Sequence, residues 1–295
     1  MPLEGPEPVH GNIVTDSVSV GGGLTSPNQT FLACDVYGKT LNYQPMDGII
    51  GLGLPDASGI AASTGNSSYQ AFYWSLYYRG LLASPIFGWY IRPGSETGAE
   101  LTLGGVDKTK FQGRMQWIDL DKNISTVAGT WIMDQPAIFL DETERFRPSQ
   151  PGPAPDIAVL DTGTAFIQTP DYQTTKDLYA AISPAFEDID GLGAWGAPCE
   201  DMEELAVDVT FTYGPPGGVQ GNFTVPKEFF NLGPYPGREE VCQGLFNHPM
   251  DNTTFTPTRQ KLWVIGSPLL KAYYTAWDGV QQRVGWATPT PGCGD

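Results

Sequence analysis

The chain has 295 residues, 40% hydrophobic and 12% aromatic, which excludes a disordered polymer and allows one large domain or two lobes with cores of their own. With 33 acidic and 16 basic side chains the formal net charge is −17, so the surface repels polyphosphate, offers no basic stripe to DNA or RNA, and excludes a nucleic-acid partner. Such a chain becomes nearly uncharged only at about pH 4, which suits acid surroundings or simply aids solubility.

The 36 Gly and 26 Pro are spread between short apolar runs, a pattern of many strands joined by many turns, so the fold class is mostly β. Residues 12–20 alternate as a strand, Gly21-Gly22-Gly23 turns the chain, and Gln29 to Ala33 forms the neighbouring strand of a hairpin. Asp47-Gly48-Ile49-Ile50-Gly51-Leu52-Gly53 reads as a strand whose glycines let another segment approach closely. From Tyr69 to Leu81 the apolar residues at 72, 73, 76 and 77 recur at helical spacing, with Gly80 near the end. Strands follow at 86–91, 100–105 and 115–118. The Pro-, Arg- and Glu-rich interval 142–155 reads as an exposed loop. A second helix begins after Pro170, with Tyr172, Leu178, Tyr179 and Ile182 as its apolar side. The chain closes with a strand at 262–266, a short helical turn at Pro268, and a hairpin of 272–276 and 283–287 around Asp278-Gly279.

Five Asn-X-Ser/Thr triplets, at Asn28, Asn66, Asn123, Asn222 and Asn252, point to a secreted glycoprotein. Cys199 and Cys242 flank a turn-rich segment and are placed to form a disulfide; Cys34 reads as a buried thiol, and Cys293 sits in a polar tail. No apolar run reaches about 18 residues, so no membrane span is expected. Met1 to Pro8 lacks the basic and apolar regions of a signal peptide, and a secreted body without one implies a parent protein with more sequence before it.

Asp161-Thr162-Gly163 occurs once, between the apolar runs Ile157 to Leu160 and Thr164 to Ile167, which makes Asp161 the leading catalytic residue. A carboxylate in such surroundings must carry hydrogen bonds or a proton. Ile49-Ile50-Gly51 and Val264-Ile265-Gly266 echo each other, each followed within a few residues by Pro. The Asp161 motif, Val264-Ile265-Gly266, and Ala272 to Asp278 with Arg283 to Ala287 together resemble the pepsin-like aspartic proteases, in the manner of fungal secreted acid proteases. Asp16 to Gly21, Asn28 to Phe31, Asp47 to Leu52 and Leu103 to Asp107 match that family's first-lobe phrases, so the resemblance runs nearly end to end.

The resemblance implies a bilobal acid protease fold: residues 1–110 as the remnant of an incomplete N-terminal lobe, and 111–295 as a complete C-terminal lobe carrying Asp161. It implies acid hydrolysis of peptide bonds by water activated between two aspartates. Asp161 would be the second-lobe aspartate and Thr162 its hydroxyl support. Gly163 and Thr164 would contact the substrate backbone, Tyr73 and Leu81 would line an apolar pocket, and Ile265 and Gly266 would cradle the turn. Ala165 stands where the family commonly has Ser. No Asp-Thr-Gly or Asp-Ser-Gly precedes Ile49, and the Tyr-bearing flap expected before His10 is absent, so the chain is expected to be truncated and impaired or inactive. The expected partner is a peptide or protein substrate, the state a monomer, the location of the parent secreted or vacuolar, and no cofactor is called for. One alternative is a non-catalytic protein that binds through the residual cleft; another is a two-fold dimer joining two copies of Asp161. Exposed apolar faces left by the missing segment predict aggregation. His10 and His248 are the only histidines and adjoin no nucleophile motif, metal ligands are sparse, and no phosphate-binding glycine loop is present.

Overall fold

A computed structural model describes residues 10–36, 46–55, 57–92, 95, 97–135, 137–141, 144–147, 149, 155–249, 254–255 and 259–290. Strands take 42% of the described residues and helices 18%, so the molecule is mostly β. It falls into two compact units: the described residues up to Pro85 with Ala128–Thr130, and the described residues from Ile86 onward without those three.

The first unit opens with an antiparallel ribbon, His10–Val20 against Leu24–Val36, in which Val14 faces Phe31 and Thr15 faces Thr30. Its turn is the glycine run, where Gly22 and Gly23 hold φ of 74° and 77°, a conformation that costs glycine little. Helix Phe72–Tyr78 buries Phe72, Tyr73, Trp74 and Leu76. Two polar links tie the ribbon to this helix region: Ser26 Oγ to Ser75 Oγ at 2.8 Å, and Gln29 Nε2 donating to the carbonyl of Gln70 at 2.9 Å. The helix is shorter than the 69–81 periodicity suggests, because Gly80 at φ 73° ends it and Tyr69 and Gln70 bond back into the preceding turn. Helix Gly59–Thr64 was not legible from periodicity. Its start is fixed by Ser58 Oγ accepting from the Ala61 amide at 3.2 Å, and its end by Gly65 at φ 69°.

Two expectations fail in this unit. Residues 47–53 form no strand, and Ile49 is 74% exposed; the close approach falls on Gly53 alone, where an added Cβ would meet the Gly129 carbonyl at 3.0 Å. Cys34 is an exposed free thiol, because among the described residues the ribbon has only two strands and this end of it is covered on neither face.

The second unit holds four sheets. The largest hydrogen-bonded run of antiparallel strands orders Glu100–Leu103, Ile86–Tyr90, Tyr274–Asp278, Arg283–Pro289 and Phe111–Asp119, so the closing hairpin read from sequence becomes the middle of a five-stranded sheet. A second sheet orders Phe246–Asn247, Ile167–Gln168, Gln260–Ile265, Asp156–Leu160 and Ile132–Gln135. Here Gln260–Ile265 runs parallel to Asp156–Leu160, with Leu160 opposite Ile265. Parallel neighbours demand burial on both faces, and the apolar run of Asp156–Leu160 supplies it: Ile157 packs with Ile124 and Ile132, flanked by Val159 and Leu262.

A third sheet, Glu187–Asp188, Trp195–Pro198, Arg238–Gln243 and Gly233–Tyr235, carries the disulfide between Cys199 and Cys242 that the sequence spacing suggested. The fourth pairs Gly221–Val225, Val209–Tyr213, Ala137–Leu140 and Glu144–Phe146. That last strand lies inside the interval expected to be an exposed loop; Phe146 is buried, and its pairing with Ile138 draws the segment into the sheet. Helix Tyr172–Ile182 follows Pro170 as expected and is capped by Asp171, whose Oδ1 accepts from the Thr174 amide at 2.7 Å. The sequon at Asn252 and Cys293 lie outside the described residues.

Candidate active site

Asp161 sits where strand Asp156–Leu160 ends between two neighbours, Gln260–Ile265 on one side and Ile132–Gln135 on the other. The backbone leaves the sheet in two bonded steps. The Leu160 amide donates to the Trp131 carbonyl at 2.9 Å, and the Asp161 amide to the Ile265 carbonyl at 2.9 Å. The chain then turns, with the Thr164 amide donating to the Asp161 carbonyl at 3.3 Å. This turn aims both carboxylate oxygens at donors within it: Oδ1 accepts from the Gly163 amide at 2.9 Å and Oδ2 from the Thr164 hydroxyl at 2.6 Å. Among the described residues these are the donors that hold the side chain, so the hydroxyl reaching the carboxylate is that of Thr164 rather than Thr162. Both oxygens are partnered while the side chain stays half-buried, an arrangement that fixes an acceptor at the surface.

Gly266 supports the turn from behind. A Cβ on it would stand 2.2 Å from the Thr164 carbonyl oxygen and 2.3 Å from that of Phe166, so only glycine lets the two segments touch. The next amide, Ser267, donates to that same Thr164 carbonyl at 2.8 Å. Ile265, fully buried, pairs with Leu160 on one side and with Ile167 on the other, and thereby holds both flanks of the Asp161 turn in register.

A match to the family model for eukaryotic aspartyl proteases spans residues 5–289. The chain belongs to that family. Among its curated aspartyl protease relatives, cathepsin E of Oryctolagus cuniculus is 29% identical over 286 residues, covering 95% of this chain and 63% of the relative. Mucorpepsin of Rhizomucor miehei is 27% identical over 282 residues, covering 92% and 60%. Pepsin A of Sus scrofa is 27% identical over 274 residues, covering 92% and 62%. The chain thus spans about three-fifths of the length of these aspartyl protease relatives.

Of the residues singled out by sequence, Asp161, Thr162, Gly163, Thr164, Ile265 and Gly266 come together in this one turn and its support. Tyr73 and Leu81 belong to the other compact unit. There Tyr73 is 1% exposed, edge-on to Trp74, with its hydroxyl donating to the Ser84 carbonyl at 3.4 Å, whereas Leu81 is 46% exposed.

Sequence reasoning missed the bracing at the opposite end of the Asp161 strand. Trp263 Nε1 donates to Asp156 Oδ2 at 2.7 Å, Gln260 Nε2 to the Pro155 carbonyl at 2.9 Å, and Lys261 Nζ pairs with Asp171 at 3.0 Å. Burial pushes the Asp156 carboxyl above the usual range despite the Trp263 donor and the nearby Lys261. Burial also acts upward on Asp171, but the Thr174 amide and Lys261 outweigh it and hold that carboxyl below the usual range. The only hint in the sequence was Asp171 just after Pro170, a helix-capping position.

Proposed function

We propose that Asp161 is the second-lobe aspartate of an acid endopeptidase centre and that the family chemistry, peptide hydrolysis by a water held between two carboxylates, is impaired in this chain. The observation that carries the reading is the doubly donated Asp161 turn seated on Ile265 and Gly266 within a chain of this family.

Two carboxylates close together cannot both ionise, so they share one proton. The ionised member then takes a proton from the water while the protonated one polarises the scissile carbonyl. The Gly163 amide and Thr164 hydroxyl hold the Asp161 carboxylate in one orientation for that exchange. Gly163 and Thr164 also offer the substrate backbone their exposed side, Thr162, Ile265 and Gly266 keep the turn in place, and in the first unit Leu81 presents an exposed apolar side chain while Tyr73 packs in the core, closed to a ligand. The sequence holds a single Asp-Thr-Gly and no Asp-Ser-Gly, so the second carboxylate is not supplied by a matching motif. In this reading residues 1–110 belong to the first lobe and 111–295 to the second, which carries Asp161. The chain acts as a monomer on a peptide or protein, and it passes through an oxidising secretory or vacuolar route, in keeping with the Cys199–Cys242 disulfide.

The test is digestion of a denatured protein at about pH 3 to 4 by the chain and by Asp161→Ala, with a peptide mimic of the tetrahedral transition state as inhibitor. Equal, negligible turnover by both supports impairment. Inhibitable turnover that vanishes in Asp161→Ala refutes impairment and establishes Asp161 as catalytic. The single motif also favours a second reading, a non-catalytic peptide-binding protein, for which the same inhibitor binds the chain without any turnover.

A further inference from the structure

Four of the five sequons lie among the described residues, and all four place their Asn on the surface. Their surroundings differ. Asn28, at φ 57°, is hemmed by Ser26 and Gln29, which are buried and bonded to Ser75 and to the Gln70 carbonyl. Asn123 stands in the first turn of helix Lys122–Ala128, and the hydroxyl of its partner Ser125 is buried, donating to the Ile132 carbonyl at 3.0 Å. Asn222 lies in an extended strand, with Oδ1 accepting from Thr212 across the sheet at 2.8 Å.

Asn66 is different in kind. It follows the αL glycine that ends helix Gly59–Thr64, and every residue from Ala62 to Ser68 is exposed. Its Oδ1 accepts from both the Ser68 amide, at 3.1 Å, and the Ser68 hydroxyl, at 2.7 Å. The hydroxyl of the sequon is therefore folded back onto the acceptor amide group, and Nδ2 is left to solvent. All the bonds that shape this turn are local: the Asn66 amide to Thr64 Oγ1 at 3.3 Å, the Tyr69 amide to the Asn66 carbonyl at 3.1 Å, and Gln70 Nε2 to the Ser67 carbonyl at 2.6 Å. A turn built from bonds two or three residues apart forms in a nascent chain before any sheet does, whereas the residues beside Asn28, the Ser125 hydroxyl of the Asn123 sequon and the Asn222 side chain are held by partners more distant in the sequence.

We infer that Asn66 is the acceptor of an N-linked glycan when the chain passes through the secretory route, an inference that rests on the secretory reading above. The donor is a lipid diphosphate-linked oligosaccharide presented by a transferase. The bond from Nδ2 to the anomeric carbon forms, the bond from that carbon to the diphosphate oxygen breaks, the amide proton leaves, and the lipid diphosphate departs as the anion. The glycan extends from the tip of an exposed turn and displaces no protein contact.

The test maps glycopeptides of the full chain expressed behind a secretion leader in a eukaryotic host, alongside chain isolated from the cells that make it, reading Cys199–Cys242 oxidation in the same digests. In the secreted chain the Asn66 peptide carries a glycan that an amidase removes, leaving Asp. Ser68→Ala loses that glycan and Ser68→Thr keeps it. An oxidised, secreted chain with bare Asn66 overturns the inference. Reduced Cys199 and Cys242 with bare Asn66 in the source cells, beside a glycosylated secreted chain, overturns the secretory reading and leaves the site standing.

Discussion

The amide of Asp161 donates to the carbonyl of Ile265 at 2.9 Å, joining the one Asp-Thr-Gly turn of the chain to an apolar strand far along the sequence. That bond can form only if Gly266 lets its backbone lie against Thr164 and Phe166. The backbone of the aspartate is thus positioned by main chain and by the glycine that admits it, while the Gly163 amide and the Thr164 hydroxyl orient its carboxylate.

Gly266→Ala puts its Cβ against two backbone carbonyls. Backbone cannot rotate away as a side-chain tip can, so the variant is expected to lose about 3 kcal/mol, the upper end of overpacking costs. Urea unfolding of the two proteins measures it. An unchanged midpoint would show that the turn and Gly266 do not touch.

The bridge between Cys199 and Cys242 spans 43 positions. Closing a loop of that length stabilises the fold by about 4 kcal/mol in the chain-entropy model. The double Cys→Ser variant is expected to unfold at correspondingly lower denaturant, and the wild type to match it after full reduction.

Asp156 and Asp171 brace the same sheet with opposite pH signatures. Burial raises the folded-state value of Asp156 above its usual 3.8, so its proton is held more tightly in the fold than out of it. Its contribution is full below 3.8 and is lost as pH rises through the raised value. Asp156→Asn keeps an acceptor for Trp263, and its stability relative to wild type is therefore expected to improve from pH 3 to pH 7. A constant difference across that range would count against this.

For Asp171 the sign is reversed. Its folded-state value lies below the usual 3.8, so its contribution is present above that pH and lost as pH falls through the lowered value. Asp171→Asn removes the charge facing Lys261 at 3.0 Å and is expected to cost about 1.5–3 kcal/mol at pH 7. The cost should shrink toward strongly acid pH, and unfolding curves at several pH values read both variants together.

Cys34 is exposed in the native fold. Brief alkylation without denaturant, followed by peptide mapping, is expected to modify it, while Cys199 and Cys242 stay unlabelled. Protection of Cys34 until unfolding would restore the buried thiol that its Phe-Leu-Ala-Cys setting suggested.

The sequence by itself determined the family, the mostly β class, the Asp161 turn, the opening ribbon, the closing hairpin and the helix after Pro170. Each depends on signals carried within a few neighbouring residues: alternation, glycine at a turn, apolar residues at helical spacing, a motif. Tertiary structure decided everything that depends on partners distant in sequence. It placed the Thr164 hydroxyl on the Asp161 carboxylate and Trp263 on Asp156, and it left Cys34 bare on a two-stranded ribbon. It also separated residues 47–53 from 260–266: both carry the apolar-apolar-Gly phrase, but among the described residues only the second has strands on both sides to hydrogen-bond with. A strand is a property of its neighbours as much as of its own residues, so local pattern alone could not tell the two apart.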